Sequence, residues 1–381
     1  MRLIHLSDLH IGKRVNEFSM LEDQEYILKR ILNIIDDEKP DGVIIAGDVY
    51  DRTMPSEDAV KLLDRFLTSL AKRKLQVYII SGNHDSAVKL SFASGLIDLS
   101  GIHIAPVYNG KVEPMRLEGS DGISANIYML PFVKPVTVKN IFKDEAEDIK
   151  DYTDACRVAI EHMDIDETVT NILVAHQFVA GATPSDSEEH TVGGLDNVNV
   201  SVFAPFDYVA LGHIHGPQKV GRDTVRYSGT PLKYSLSEAK HHKSVTVIDI
   251  PENKKIELRT VELVPMRDLR EIKGTFAELT DKAYYEGTPV EDYIYVVLTD
   301  EEDIPDALGK LRVIYHNIMK LRYDNTRTRT DNIIEEGAVL EGKQPIDLFE
   351  ELYEKQNNKS MSPEQREFME ELINKVFKEE E

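Results

Sequence analysis

Leu3-Ile4-His5-Leu6-Ser7-Asp8-Leu9-His10 joins a short apolar run to a carboxylate and an imidazole, and the arrangement recurs down the chain. Val43-Ile44-Ile45-Ala46 leads into Gly47-Asp48-Val49-Tyr50-Asp51, and Val77-Tyr78-Ile79-Ile80 precedes Gly82-Asn83-His84-Asp85. Asn171 to Ala175 delivers His176, and Phe206 to Leu211 delivers Gly212-His213-Ile214-His215. Short β-branched runs of this kind read as buried strands. Apolar spacing between the early ones predicts helices over 21–37, 56–71 and 86–100, a βαβ rhythm. The polar blocks therefore fall just past strand C-termini, where open α/β sheets place ligand sites.

Each block brings an oxygen or imidazole of the kind first-row divalent metals prefer. Two ions about 3.5–4 Å apart need a shared anionic bridge, terminal ligands and open positions. Asp48, after the central strand, is the natural bridge. Asp8, His10 and His215 would complete one metal, and Asn83, His176 and His213 the other. The mixed donor set favours manganese or iron over calcium, and the lack of thiolates removes the usual reason for structural zinc. His84 is not needed as a ligand and suits a proton donor, since imidazole titrates near neutral pH. Asp51 or Asp85 is expected to orient its ring, and the sequence leaves both open. His5, His103, His162, His190, His241, His242 and His316 read as ordinary core or surface residues.

The 381 residues suggest a large core domain with smaller appendages. Lys and Arg number 45 against 68 Asp and Glu, a formal charge of -23, which argues against a general nucleic-acid coat. A local basic footprint remains compatible, because bound cations offset an acidic site. Cys156 is the only cysteine, so no intrachain disulfide or thiolate cluster can form. The first residues are too polar for a signal peptide, and no apolar run approaches the ~18 residues of a membrane span. The expectation is a soluble, cytoplasmic protein with no membrane partner.

More strand is expected over 101–134, with turns at Asn109-Gly110 and Asp121-Gly122, then a helix over 142–163 and closing strands over 224–228, 244–250 and 256–263. This bounds a core domain at 1–265. Residues 266–330 alternate strand and helix as a small α+β domain. Within it Lys310, Arg312, Lys320, Arg322, Arg327 and Arg329 face only Asp324. Of these, Lys320, Arg322, Arg327 and Arg329 are candidate contacts to DNA phosphates. Residues 331–381 form an acidic tail with helices expected over 345–355 and 362–377, the second capped by Ser362-Pro363-Glu364-Gln365. The stripes Leu348, Phe349, Leu352, Tyr353 and Phe368, Leu372, Ile373, Val376, Phe377 exceed what two short helices can bury alone, which points to docking on a partner. Lys240 to Lys243 reads as a polar turn, and Gly193-Gly194 as part of a loop.

The five blocks in order, D-x-H, G-D-x-x-D, G-N-H-D, H and G-H-x-H, resemble the calcineurin-like metallophosphoesterases. The resemblance implies an α/β fold: a β-sandwich flanked by helices, here with a small α+β capping domain and a C-terminal helical tail. It implies two metals bridged by Asp48, phosphate-ester hydrolysis by a metal-activated water, ligand roles for Asp8, His10, Asn83, His176, His213 and His215, and His84 as the catalytic histidine. Ile4 to Gly12, Leu130 to Pro135, Ala175 to Phe178 and Tyr227 to Ser235 are similar to the bacterial SbcD branch of that family. That branch implies a manganese-dependent nuclease for DNA duplex ends and hairpins, serving repair and recombination. It also implies an SbcC-like coiled-coil ABC ATPase partner and a homodimer within a heterotetramer. Asp51 stands where archaeal and eukaryotic relatives usually carry histidine, which favours the bacterial branch. Two other readings are a small-molecule phosphodiesterase or phosphatase, and a mainly structural adaptor for the ATPase at DNA ends.

Overall fold

The β-branched runs are strands in the computed structural model, which describes residues 1–188, 197–326, 328, 345–357 and 359–379. Arg2–Leu6, Gly42–Ala46, Gln76–Ile80 and Ile102–Ile104 lie parallel. Ser244–Asp249 and Glu257–Glu262 extend that sheet antiparallel beyond Arg2–Leu6. A second sheet repeats the plan: Ser124–Leu130, Thr170–His176, Tyr208–Gly212 and Arg222–Tyr227 are parallel. Met115–Glu118 and Gln218–Val220 pair antiparallel at its edges, so each sheet has six strands.

The two sheets stack through one apolar cluster, with Leu3, Ile44, Ala46 and Ile80 from the first against Ile127, Ile172, Val174 and Ala210 from the second. Burial on both faces explains why these strands read as unbroken apolar runs rather than alternating ones. The outer face of the second sheet, with Leu130, Leu173 and Val209, packs on Ala155, Cys156 and Ala159 of helix Tyr152–Glu161. Helices Leu21–Glu38 and Glu57–Lys72 bury Ile27, Ile31 and Ile35, and Leu62, Leu63, Phe66 and Leu70. Ser56 caps the second of these by accepting from the Ala59 amide at 3.3 Å, with Glu57 and Asp58 in the first turn where the helix dipole favours anions. The result is the expected helix-flanked β-sandwich.

Two expected helices are corrected. The single helix over 86–100 is instead Ala87–Leu90, Ser94–Ile97 and a 3₁₀ turn at Asp98–Ser100. Ala93 is left-handed at φ 58°, and Phe92, Leu96 and Leu99 are exposed, so no buried stripe holds one helix together. The helix over 142–163 starts only at Tyr152, because Asp151 accepts from the Asp154 amide at 2.9 Å and fixes the N-terminus there. A separate helix, Pro135–Ile141, precedes it. A small hairpin, Arg14–Val15 with Phe18–Ser19, is too short to leave a periodic signal.

The chain divides into units Met1–Leu269 and Arg270–Glu381, where the sequence placed the boundary at 265. In the second unit, Leu269–Gly274, Tyr293–Leu298 and Ile318–Tyr323 form a three-stranded sheet. Ile272, Ile294, Val296 and Ile318 of that sheet pack with Leu279, Leu311 and Tyr315. The helical stretch after the first of these strands is split into Phe276–Thr280 and Lys282–Tyr285 by Asp281, whose carboxylate caps the second piece. Helices Pro345–Asn357 and Pro363–Glu379 follow. Ser362 and Gln365 cap the latter reciprocally: Ser362 Oγ accepts from the Gln365 amide at 3.2 Å, and the Ser362 amide donates to Gln365 Oε1 at 2.9 Å. Leu352, Phe368 and Leu372 on these helices are exposed. Among the described residues no helix is long and apolar enough to cross a membrane.

Candidate metal centre

The polar blocks leave their strands through strained turns. Asp8, His10, Asp48 and His213 have φ of 52°, 43°, 45° and 104°, a region that non-glycine residues seldom adopt. Such conformations persist only where the surroundings over-determine them, and they cluster at functional sites. The first two blocks are tied side by side, Asp8 N donating to Gly47 O at 3.0 Å and His10 N to Asp48 O at 2.9 Å. Two glycines are demanded by close approach. A Cβ at Gly82 would sit 2.1 Å from Asp48 Oδ1, and one at Gly212 would sit 1.8 Å from Ala46 O.

These turns bring all seven expected ligands together in two groups. In the first, donor atoms of Asp8, His10 and His215 lie within 4.8 Å of one another, with His10 Nε2 and His215 Nε2 at 3.0 Å. In the second, Asn83 Oδ1 is 3.0 Å from both His176 Nε2 and His213 Nδ1. Asp48 Oδ2 stands between the groups, 3.3 Å from His176 Nε2 and 3.7 Å from His10 Nε2. His176 Nδ1 donates to Ala46 O at 2.9 Å, which turns Nε2 toward the site.

The donor set fits divalent ions. Asp8 Oδ2 is buried without a hydrogen-bond partner, and buried polar atoms are ordinarily satisfied. His10 Nε2 and His215 Nε2, 3.0 Å apart, are close enough to share one cation. Burial pushes Asp8 up to about 6 and His213 down to about 3. Burial alone would lower His176 too, but the carboxylates of Asp48 and Asp8 push it up to about 9. Burial also opposes the charge on Asp48, yet His176 and His10 hold its carboxyl well below the usual range.

His84 sits half-buried at the rim, its ring edge-on to His10 at 5.0 Å between centroids. Its Nδ1 lies 3.1 Å from the main-chain carbonyl of Asp51. Of the two residues expected to orient this ring, Asp51 is the one beside it, and it does so through its main-chain carbonyl, both carboxylates being engaged elsewhere. Asp85 accepts from the amides of Val49, Tyr50 and Gly82 at 3.1, 2.9 and 3.0 Å, fastening the second block to the third. Asp51 Oδ1 pairs with Lys13 Nζ at 2.8 Å and lies 3.7 Å from His10 Nδ1.

Sequence reasoning missed the groups behind the ligands. Gln24 Nε2 donates to His10 O at 2.7 Å and to Tyr234 Oη at 2.9 Å. Ser187 Oγ is 2.6 Å from His215 Nδ1, and Glu188 Oε1 accepts from the His215 amide. Lys243, read as part of a polar turn, is instead buried and ion-paired to buried Glu238, because its neighbours pack beneath the site. The only signals were a Glu and a Lys in one loop and the phrase Tyr227 to Ser235. In the second unit, Lys320 and Arg322 alternate on one exposed face of Ile318–Tyr323, Arg322 lying 3.3 Å from Glu271. Lys310 sits over the Phe276 ring, and Arg312 reaches Ile318 O. Arg327 and Arg329 lie outside the described residues, as do His190 and Gly193-Gly194.

Imidazoles, carboxylates and an amide oxygen gathered at strand ends of a two-sheet sandwich define a metal-dependent phosphoesterase. Residues 1–217 match the family described as Calcineurin-like phosphoesterase, and residues 265–357 match the one described as Type 5 capsule protein repressor C-terminal domain. The chain belongs to the calcineurin-like phosphoesterases and, within them, to the SbcD family. It is 34% identical over 325 residues to the SbcD subunit of the nuclease SbcCD from Staphylococcus epidermidis, covering 84% of this chain and 85% of that protein. Solved structures similar to it include TT1561 of Thermus thermophilus, at 10% identity and TM-score 0.38 over 68% of this chain and 98% of that one. A dimetal phosphatase from Danio rerio has 11% identity and TM-score 0.42 over 69% and 96%.

Proposed function

We propose that the chain is the nuclease subunit of an ATP-dependent SbcCD-like complex, cutting DNA phosphodiester bonds at duplex ends and hairpins. The observation that carries the reading is the complete, convergent donor set with the unpaired carboxylate oxygen of Asp8 at its centre. The DNA substrate is supported by the likeness to a nuclease subunit across 84% of the chain.

Asp8, His10 and His215 would hold one ion and Asn83, His176 and His213 the second, with Asp48 shared; manganese suits this set of imidazole, amide and carboxylate donors. Divalent ions bound there neutralise the diester and make water a competent nucleophile near neutral pH. The chain's own residues do the rest. Main-chain carbonyls hold His176 and His84 at Nδ1, so each presents Nε2 inward. His84, at the open rim, is placed to give the proton at Nε2 to the departing sugar oxygen.

Residues 266–330 are assigned to capping DNA, with Lys320, Arg322, Arg327 and Arg329 on phosphates. Residues 331–381 are assigned to docking on a coiled-coil ABC ATPase, supported by exposed Leu352, Phe368 and Leu372. The complex is proposed as a heterotetramer built on a homodimer of this chain, in the cytoplasm. The test incubates a hairpin-ended duplex with the purified chain and Mn2+, then adds the ATPase and ATP. Cleavage that requires Mn2+ and rises with the ATPase supports the reading. Hydrolysis of a small chromogenic diester with DNA left intact under every condition would replace it with a small-molecule phosphodiesterase. Deleting residues 340–381 should abolish ATPase binding and spare diester hydrolysis.

A further inference from the structure

The loop behind His215 is more heavily built than a turn needs. Glu238 and Lys243 are both buried and ion-paired there, and a buried ion pair is weak evidence for stability, because apolar residues of similar size do as well. Its hydrogen bonds instead run in one direction. Lys243 Nζ donates to His215 O at 2.9 Å, to Thr230 Oγ1 at 2.7 Å and to Glu238 Oε2. Glu238 Oε1 accepts from the Tyr234 amide at 3.2 Å, from Ser235 Oγ at 3.0 Å and from Ser187 Oγ. A carboxylate held ionised by an ammonium can only accept, so the single Ser187 hydroxyl proton points to Glu238. Ser187 Oγ then offers His215 Nδ1, 2.6 Å away, only lone pairs.

From this we infer that Ser187, backed by the Glu238–Lys243 pair, is a positioning residue that keeps the proton of His215 on Nδ1 and presents Nε2 to the metal centre. The inference rests on the reading of His215 as a ligand. The backbone of the same histidine is clamped twice more, its amide by Glu188 and its carbonyl by Lys243 and the Thr230 amide at 3.1 Å. Thr230, Tyr234 and Ser235 all come from the phrase Tyr227 to Ser235, which thereby acquires a physical role: it lines the cradle of the Glu238 carboxylate. Outer partners of metal-bound histidines fix tautomer and ring orientation in this way.

The test titrates the full chain with Mn2+ alone by calorimetry, comparing wild type with Ser187→Ala, Ser187→Thr and His215→Ala, and records the thermal unfolding of each metal-free variant. Ser187→Ala should weaken binding of one ion by about 10–100-fold, with metal-free unfolding little changed, and Ser187→Thr should restore it. The ¹⁵N shifts of His215 should move away from a pure Nδ1–H tautomer in the alanine variant and return in the threonine variant. Wild-type affinity and an unchanged tautomer in Ser187→Ala, while His215→Ala loses an ion, would overturn the inference and leave the ligand reading intact. Two ions held at full affinity by His215→Ala would overturn the ligand reading itself, and the inference with it.

Discussion

His10 Nε2 and His215 Nε2 meet at 3.0 Å from positions 205 residues apart in the chain. Burial holds His10 well below its ordinary titration range, so its ring is neutral near neutral pH and the contact is not one between two imidazolium cations. Two imidazole nitrogens this close suit a shared cation, and Asp8, with φ 52°, and Asp48, with φ 45°, stand in the strained turns beside them.

Metal should therefore stabilise the fold. At a free Mn2+ concentration of about 100 times Kd, one site adds about 2.7 kcal/mol to the unfolding free energy. Thermal unfolding with and without Mn2+ measures this, and chelation should reverse it. An unchanged midpoint would contradict the site.

Binding should strengthen as pH rises, because ligands must lose their protons. Asp8, pushed up to about 6 by burial, is protonated in the metal-free protein below that pH. His176, which burial would lower but Asp48 and Asp8 push up to about 9, must release a proton as well. Calorimetry in buffers of different ionisation enthalpy should show proton release at pH 7.

The stability of the metal-free protein should follow the opposite course. A histidine raised from 6.5 to about 9 on folding adds stability that is fully present below 6.5 and lost as pH rises through about 9. His213, lowered from 6.5 to about 3, adds stability present above 6.5 and lost toward about 3, so it contributes no slope in the higher window. Denaturant unfolding of the metal-free chain should show a falling free energy between about pH 6.5 and 9.

His84→Ala should keep both ions and lose about 10²–10⁴-fold in turnover, the usual contribution of a general acid. Its ring hydrogen-bonds only a main-chain carbonyl and lies edge-on to His10, so its removal breaks no hydrogen bond to a proposed ligand. Equal turnover by the variant would remove His84 from the chemistry.

Gly212→Ala should cost about 1–3 kcal/mol or more through overpacking, since its Cβ would collide with Ala46 O. Denaturant melts test this, and metal affinity should fall alongside, because His213 and His215 follow directly.

The strands that carry the ligands were legible because burial on both faces leaves an unmistakable β-branched run, and each run ends in a polar block. Residues 86–100 were not, because Val88, Phe92, Leu96 and Leu99 mimic a buried helical stripe while standing in solvent. Asp51 was legible as a candidate partner of His84, but the contacting atom was not, because it is a main-chain carbonyl that any residue at position 51 would supply. Ser187 was hidden for a different reason: it meets His215 and Glu238 from 28 and 51 positions away in the chain, where no periodicity marks a contact.

The central claim is that a two-ion site anchored by Asp48 cleaves DNA. Equilibrium dialysis against Mn2+, followed by assay of the same samples on a hairpin-ended duplex, tests it most directly. Wild type should hold two ions per chain and cut the duplex, while Asp48→Ala should lose ions and cutting together. Undiminished cutting by an Asp48→Ala chain that holds no divalent ion would contradict the account.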